Sequence, residues 1–135
     1  MADKVTIQVQ QINASASQAQ TRGHVITMDR PEAKGGGDQG PMGGEVMLQG
    51  LGGCFMSNLL AAAVARGVSI KNAGLEIVAH VMPAPTRYTT IDMYISMDCE
   101  NNEIVPKLVE IAERGCLVAN TLKSALPLNL HLNRS

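Results

Sequence analysis

Aromatic residues are nearly missing from this chain of 135 residues, which has one Phe, two Tyr and no Trp. Proteins that bind single-stranded nucleic acid stack its bases on aromatic side chains, and this chain has almost none to offer. A net charge of −1 also provides no basic field for nucleic acid or for an anionic membrane surface. We therefore expect neither nucleic acid nor a membrane among the partners of this protein.

Targeting and metal-binding patterns are missing as well. The first residues contain no basic region followed by an apolar stretch, so no secretory signal is predicted. The three cysteines are an odd number, and none of them forms a Cys-x-x-Cys pair. These features favour a reducing, cytoplasmic location, where neighbouring thiols are more often catalytic than structural. The spacing of Cys and His does not fit zinc, and we expect no metal.

One apolar run is long enough to cross a bilayer, because residues 46–65 carry no charge. The run nevertheless includes Gln49, Ser57, Asn58 and three glycines, and no aromatic belt flanks it. We interpret residues 45–66 as the central helix of a soluble core, apolar on nearly every side and therefore buried.

The periodicity of apolar residues predicts the remaining elements. Strands are predicted at 4–12, 24–28, 75–82 and 88–98, with a closing strand at 128–132. Helices are predicted at 103–114, ended by Gly115 as its cap, and at 116–126. Residues 14–20 are predicted as a turn or edge, and the glycine-rich residues 30–44 as an irregular loop. The short Pro-rich connection at 83–86 predicts an antiparallel hairpin. This order predicts a single α+β domain over residues 1–135.

Two cysteines lie where thiol chemistry is favoured. Cys54 follows two glycines inside the apolar run, and Cys116 follows Arg114 and Gly115 where a new helix is predicted to begin. A thiol reacts as its thiolate, and both helix N-termini and nearby Arg lower its pKa. Free cysteines are also common as small core residues. The spacing alone therefore leaves a catalytic and a structural role open.

Several short motifs resemble a known family. They are Asp38-Gln39-Gly40-Pro41, Leu51-Gly52-Gly53-Cys54, Arg114-Gly115-Cys116 and Asn120-Thr121-Leu122. Together they resemble the OsmC/Ohr family, which comprises osmotically inducible protein C and organic hydroperoxide resistance proteins, over residues 22–132. The resemblance implies an intertwined α+β homodimer with antiparallel strands and a long buried central helix. It also implies a thiol peroxidase that needs no metal and no bound organic cofactor.

The same resemblance implies roles for individual residues. Cys54 would be the peroxidatic cysteine, whose thiolate reduces an organic hydroperoxide to an alcohol and becomes a sulfenic acid. Cys116 would be the resolving cysteine, which forms a disulfide with Cys54 that an external dithiol reduces. The family's peroxidases hold the thiolate beside an Arg that a Glu positions. Arg22 begins the family-like run Arg22-Gly23-His24-Val25 and is the candidate arginine, with Arg30 as the alternative.

The acidic partner departs from the family pattern. Peroxidase members have it ten residues before the first cysteine, where this chain has Gly44. Glu45 is the candidate here. It stands nine residues before Cys54, which on an unbroken helix is about 180° away from it.

Two functions therefore remain open. One is a thiol peroxidase for organic hydroperoxides, and apolar neighbours of Cys54 (Leu51, Phe55 and Leu59) favour fatty or aryl substrates. The other is a dimeric stress-response or ligand-binding protein on the same fold, with structural cysteines and an apolar pocket. Cysteine reactivity separates them, because a structural buried thiol is inert. Cys99, which lies between Asp98 and Glu100, is predicted to be a bystander.

Overall fold

In the computed structural model the chain divides into two compact units, Met1–Gln49 and Gly50–Ser135, of which residues 3–132 are described. Their boundary falls inside the long helix α1, Gly43–Ala65. Three strands precede α1, and a two-stranded hairpin and two shorter helices follow it. The prediction of an α+β fold with antiparallel strands and a long helix is confirmed. The assignment of residues 1–135 to a single domain stays a prediction.

The first unit contains a three-stranded antiparallel sheet. Its strands are β1 (Gln8–Gln11), β2 (Ser17–Thr21) and β3 (His24–Met28), and β2 lies in the middle. Arg22 and Gly23 form the turn between β2 and β3, with φ of 51° and 82°. Two successive residues with positive φ match the twist of a tight hairpin, and glycine adopts such a φ without strain.

The prediction of a turn or edge at residues 14–20 is wrong for its second half. β2 is polar and shows no apolar alternation, yet it is the central strand, paired along its whole length with β1 and β3. Its backbone hydrogen bonds to two neighbours, rather than an apolar face, make it a strand. β1 begins at Gln8, later than the predicted Lys4, because Gln8 is the first residue in register with β2.

The loop after β3 is organised around one carboxylate. Asp29 is buried and accepts hydrogen bonds from the backbone N–H of Arg30 (2.7 Å), Gly37 (3.1 Å) and Gln39 (3.2 Å). Burial alone would raise the pKa of the Asp29 carboxyl, but the hydrogen bonds from the Ser15 side chain and from these N–H groups hold it below its ordinary value. The predicted irregular loop is therefore held together by Asp29.

Two glycines of this loop lie too close to other backbone for any side chain. A Cβ on Gly36 would stand 2.0 Å from the carbonyl oxygen of Arg30. A Cβ on Gly40 would stand 2.1 Å from the carbonyl oxygen of Thr27. The loop folds back on itself and on β3 because these positions are glycine.

The second unit contains the apolar core. Strands β4 (Ile70–Met82) and β5 (Arg87–Cys99) form the predicted antiparallel hairpin. One face of β5 packs against the core, with Ile91, Met93, Ile95 and Met97. Helices α2 (Val105–Gly115) and α3 (Leu117–Leu122) follow. The buried core cluster combines residues of all three helices: Leu51, Phe55, Leu59, Ala62, Ala63, Leu108, Ala112, Cys116 and Ala119.

Helix α1 buries one face against this core. The opposite face is exposed in the single chain, where Leu60 is 45% and Val64 is 80% exposed. A single layer of sheet and helices covers only one side of a helix, so the predicted burial on every side is not reached within one chain. By length and composition alone α1 would suffice to cross a bilayer, but the core helix of a soluble protein passes the same test.

The C-terminal segment differs from its prediction. Helix α3 ends at Leu122, and residues 125–132 contain no strand. Leu128, Leu130 and Leu132 are 83%, 88% and 81% exposed. Their alternation matches a strand, but a strand also needs a neighbour for its N–H and C=O groups, and no strand pairs with this segment in residues 3–132.

Candidate thiol site

Cys54 lies in the middle of α1, half-buried, where the helix packs against the core. Two residues earlier, a Cβ on Gly52 would stand 3.1 Å from the Ile77 side chain of β4. The helix therefore approaches the hairpin closely just before Cys54. This close approach explains one glycine of the run that precedes the cysteine.

Cys116 connects α2 to α3 and is completely buried. Its extended backbone (φ −77°, ψ 108°) ends one helix and starts the next. Its Sγ accepts a hydrogen bond from the N–H of Ala119 at 3.4 Å, so the thiol itself caps α3. The prediction that Gly115 caps α2 is wrong by one residue, because Gly115 is the last helical residue and Cys116 the cap.

The fold brings Cys54 and Cys116 together, although they are 62 positions apart in sequence. Hydrogen bonding from the backbone N–H of Val118, from the Cys116 thiol and from the N–H of Leu117 lowers the pKa of the Cys54 thiol despite its partial burial. Burial raises the pKa of the Cys116 thiol, and the hydrogen bond that it donates to Cys54 raises it further. Cys54 therefore ionises first, while Cys116 keeps its proton.

This arrangement has a definite chemical capacity. Both thiols are free. The thiolate is the nucleophilic form of cysteine, and a neighbouring thiol can donate a proton or attack an oxidised cysteine. The site thus holds two neighbouring thiols of unequal acidity, an arrangement that suits a nucleophile and a resolving group.

Asn58 and Gly115 also belong to this site, although the sequence gives no indication of it. Asn58 lies one turn after Cys54, and its Nδ2 donates to the Cys54 carbonyl oxygen at 2.9 Å. Its Oδ1 lies 2.6 Å from the place that a Cβ on Gly115 would take. No sequence motif predicts this contact, because it depends on how α2 packs against α1.

The predicted arginine and glutamate lie in the first unit. Arg22 is exposed at the tip of the β2–β3 hairpin. Glu45 is in the first turn of α1, where its carboxylate accepts the backbone N–H of Met42 at 2.8 Å. Within residues 3–132, no ion pair joins Glu45 to Arg22 or to Arg30. Glu45 thus stabilises the start of its own helix, and its catalytic role, like that of Arg22, stays a prediction.

The apolar neighbours of Cys54 serve the core. Leu51, Phe55 and Leu59 are only 4%, 1% and 0% exposed. They leave almost no surface for a substrate, so the predicted preference for fatty or aryl hydroperoxides does not follow from them. Cys99 lies at the end of β5, where its Sγ donates to the carbonyl oxygen of Asn101 at 3.3 Å.

No group of three or more Cys, His, Asp or Glu side chains in residues 3–132 is arranged to hold a metal ion.

Comparison with known proteins places the chain in context. The family model described as OsmC-like protein matches residues 35–131. A search of curated protein sequences finds no match.

Solved structures similar to this chain share its fold. An OsmC-like protein from Mycoplasma pneumoniae superposes with a TM-score of 0.79 at 19% identity, covering 91% of this chain and 89% of that one. An organic hydroperoxide resistance protein OsmC from Legionella pneumophila gives 0.63 at 14% identity, with 91% of each chain covered. An organic hydroperoxide resistance protein from Elizabethkingia anophelis gives 0.60 at 16% identity, also with 91% of each chain covered. At such low identities the likeness concerns the fold alone.

Proposed function

Because this chain belongs to the family of OsmC-like proteins, we propose that it is a thiol-dependent peroxidase that reduces organic hydroperoxides to alcohols. The observation that carries the proposal is the pairing of Cys54 with Cys116, each of which shifts the pKa of the other, with the pKa of Cys54 lowered and that of Cys116 raised. A peroxidase with two cysteines requires one thiolate and one protonated partner within reach.

The first step oxidises Cys54. Its thiolate attacks the terminal, hydroxyl-bearing oxygen of the hydroperoxide, and the O–O bond breaks as the new S–O bond forms. The sulfur loses two electrons and becomes a sulfenic acid, while the other oxygen takes a proton from solvent and leaves as the alcohol. The N–H groups of Val118 and Leu117, which lower the pKa of Cys54, support this step because they favour the ionised form of the sulfur.

The second step forms the disulfide. The Cys116 sulfur attacks the Cys54 sulfenic acid, the S–S bond forms, and the hydroxyl leaves with the Cys116 proton as water. An external dithiol then reduces the disulfide by thiol–disulfide exchange and is itself oxidised. A cytoplasm that supplies such a dithiol is the compartment in which this cycle would run, and the location stays a prediction.

The names of two structural neighbours support the choice of substrate class. The Legionella pneumophila and Elizabethkingia anophelis proteins are both named organic hydroperoxide resistance proteins. The proposal extends this substrate class to the present chain through the paired thiols.

Consumption of cumene or tert-butyl hydroperoxide in the presence of a dithiol tests the proposal. Wild type should consume the hydroperoxide, and Cys54→Ser should abolish the reaction. Cys116→Ser should retain one added oxygen on Cys54, visible by intact mass, because the sulfenic acid has no resolving partner. Cys99→Ser is the matched control and should keep wild-type turnover. Equal, slow consumption by wild type and Cys54→Ser would refute the peroxidase and favour the stress-response or ligand-binding protein.

A homodimer is the second part of the proposal. The exposed face of α1 carries small residues, among which Gly50 and Gly53 have open space around them. Further along the same face, Leu60 and Val64 expose apolar surface. A second copy related by a two-fold axis presents the same stripe, and its small residues would let the two helices approach closely. Burial of this surface would stabilise the pair by about 25 cal/mol per Å² of apolar area.

Sedimentation velocity of a charged variant tests the dimer. Val64→Lys places a charge on the proposed interface and should produce a monomer at micromolar concentration. Val81→Lys, on the exposed side of β4, is the matched control and should leave the dimer intact. A wild-type protein that sediments as a monomer would exclude the dimer.

A further inference from the structure

Asn58 contacts both backbone segments that carry the thiols. On α1 its Nδ2 donates to the carbonyl oxygen of Cys54, one helical turn earlier, at 2.9 Å. On the other side its Oδ1 lies against Gly115, the residue immediately before Cys116. A single half-buried side chain thus separates the two cysteine-bearing segments.

Glycine is required at position 115 because a side chain would not fit there, and not because the backbone has a conformation that only glycine adopts. Its φ is outside the left-handed region, since Gly23, Gly35 and Gly67 are the glycines with positive φ among residues 3–132. As the last residue of α2 it could be any L-residue by backbone geometry alone. A Cβ at this position would stand 2.6 Å from Asn58 Oδ1, closer than real contacts allow, and 3.3 Å from its Cγ, a tight contact. The absence of a side chain at Gly115 therefore lets Asn58 lie against α2 while it keeps its hydrogen bond to Cys54.

The segment that follows Gly115 is fixed by its own hydrogen bonds. The Cys116 N–H donates to the Glu113 carbonyl oxygen at 3.3 Å, and the Asn120 N–H donates to the Cys116 carbonyl oxygen at 3.0 Å. The Asn120 side chain donates to the Arg114 carbonyl oxygen at 3.0 Å. Because this junction is held so firmly, a displacement of Gly115 would move Cys116 with it.

Resting on the proposed function, we propose that Asn58 is a positioning residue that, with Gly115, sets the separation of the Cys54 and Cys116 backbones and so controls closure of their disulfide. A disulfide needs Cα atoms about 4.4–6.8 Å apart and Cβ atoms about 3.5–4.5 Å apart, and departures from its preferred geometry store strain and make the bond easier to reduce. In the reduced protein the same departures are tolerated, because no bond holds the sulfurs together. The contact therefore acts on the disulfide more than on the reduced fold.

The equilibrium of the Cys54–Cys116 disulfide with dithiothreitol tests this role without any peroxide. Gly115→Ala should lower the equilibrium constant for disulfide formation about tenfold, since overpacking a close contact costs on the order of a factor of ten in such equilibria. Asn58→Ala removes the atoms that the new methyl group meets. The double variant Gly115→Ala/Asn58→Ala should therefore recover most of the loss. Gly74→Ala, whose Cβ would meet only Ser96 Oγ at 3.7 Å, is the control glycine and should match wild type.

A second variant tests the same contact independently, so that the proposal remains testable even if Gly115→Ala does not fold. Asn58→Gln keeps Gly115 and lengthens the side chain on α1 by one methylene, which crowds the same contact. The equilibrium constant for disulfide formation should therefore fall in this variant as well. Unfolding of each variant with both cysteines replaced by serine reports purely structural effects, and the loss and its rescue should be smaller there than in the disulfide equilibrium.

The outcomes separate this proposal from the peroxidase proposal. The positioning role would be overturned if Gly115→Ala and Asn58→Gln had the wild-type equilibrium constant for disulfide formation. It would also be overturned if the double variant showed no recovery of that constant. A wild-type protein that forms no disulfide with oxidised dithiothreitol would overturn it as well. A wild type that forms the disulfide readily but consumes no hydroperoxide would instead refute the peroxidase and leave the positioning role standing.

Discussion

Cys54 and Cys116 lie close enough for each to shift the pKa of the other, and this pairing joins a connection between two helices to the middle of a third. The two sulfurs are not equivalent. Hydrogen bonding from N–H groups in the first turn of α3 lowers the pKa of Cys54, whereas complete burial raises the pKa of Cys116. This asymmetry supports the proposed roles of Cys54 as the nucleophile and Cys116 as the resolving thiol.

The pH dependence of Cys54 alkylation should reflect this asymmetry. Hydrogen bonds lower the pKa of Cys54. The pH at which iodoacetamide alkylates Cys54 at half the maximal rate should therefore be lower than the pKa of a free thiol, which is about 8.5. The rate should fall as the pH drops through the pKa of Cys54, since only the thiolate reacts. Cys116→Ala removes one donor and should move the midpoint to higher pH. A midpoint equal to that of the urea-unfolded chain would contradict the assignment.

Substitution of the two candidate arginines should identify the cationic partner. If Arg22 reaches the thiolate in the working protein, Arg22→Ala should raise the pKa of Cys54 and slow its alkylation at pH 7 by about tenfold or more. Arg30→Ala is the matched comparison and should leave the rate unchanged. The reverse pattern would assign the role to Arg30, and two unchanged rates would show that the N–H groups of α3 suffice.

Glu45→Ala should affect the helix more than the chemistry. The carboxylate accepts the Met42 N–H at the start of α1, so its loss should lower the free energy of unfolding by about 0.5–2 kcal/mol. The alkylation rate of Cys54 should stay at the wild-type value. It is measured on the same samples as the midpoint of urea unfolding, which reports the stability. A slowed rate with unchanged stability would instead support the family-like role of Glu45.

Asp29 should contribute stability that depends on pH. Its folded pKa is below the unfolded value of about 3.9, so its contribution is complete above about pH 4 and is lost as the pH falls through the folded pKa. Asp29→Asn should lower the melting temperature at pH 7 and weaken its dependence on pH below 4. Asp38→Asn, an exposed position in the same loop, is the control and should melt like wild type.

Leu108→Ala should strongly destabilise the second unit. Leu108 is completely buried where α2 meets the core, and truncation of such a side chain leaves a cavity. We expect a loss of about 2–5 kcal/mol in the free energy of unfolding by urea. Val81→Ala, at an exposed position of β4, should change it by less than about 0.5 kcal/mol.

The sequence by itself determined the elements whose apolar pattern matches their period. The β4–β5 hairpin, with one apolar face and a Pro-rich connection, follows from alternation at period two. Helix α2 follows from helical spacing and from Pro106 in its first turn, and α1 follows from its long uncharged apolar run. The opening of a new helix at Cys116 was also readable, because Gly115 and the renewed apolar spacing mark it. The motifs around Cys54 and Cys116 were enough to indicate the family.

Tertiary structure decided what no local pattern encodes. Polar β2 is the central strand because two neighbours satisfy its backbone, while the alternating leucines from Leu128 to Leu132 form no strand within the described chain, where nothing pairs with them. The contact of Cys54 with Cys116 depends on the packing of α2 and α3 against α1, and so does the fit of Asn58 against Gly115. Periodicity describes which side of an element is apolar. Only packing determines which two side chains meet.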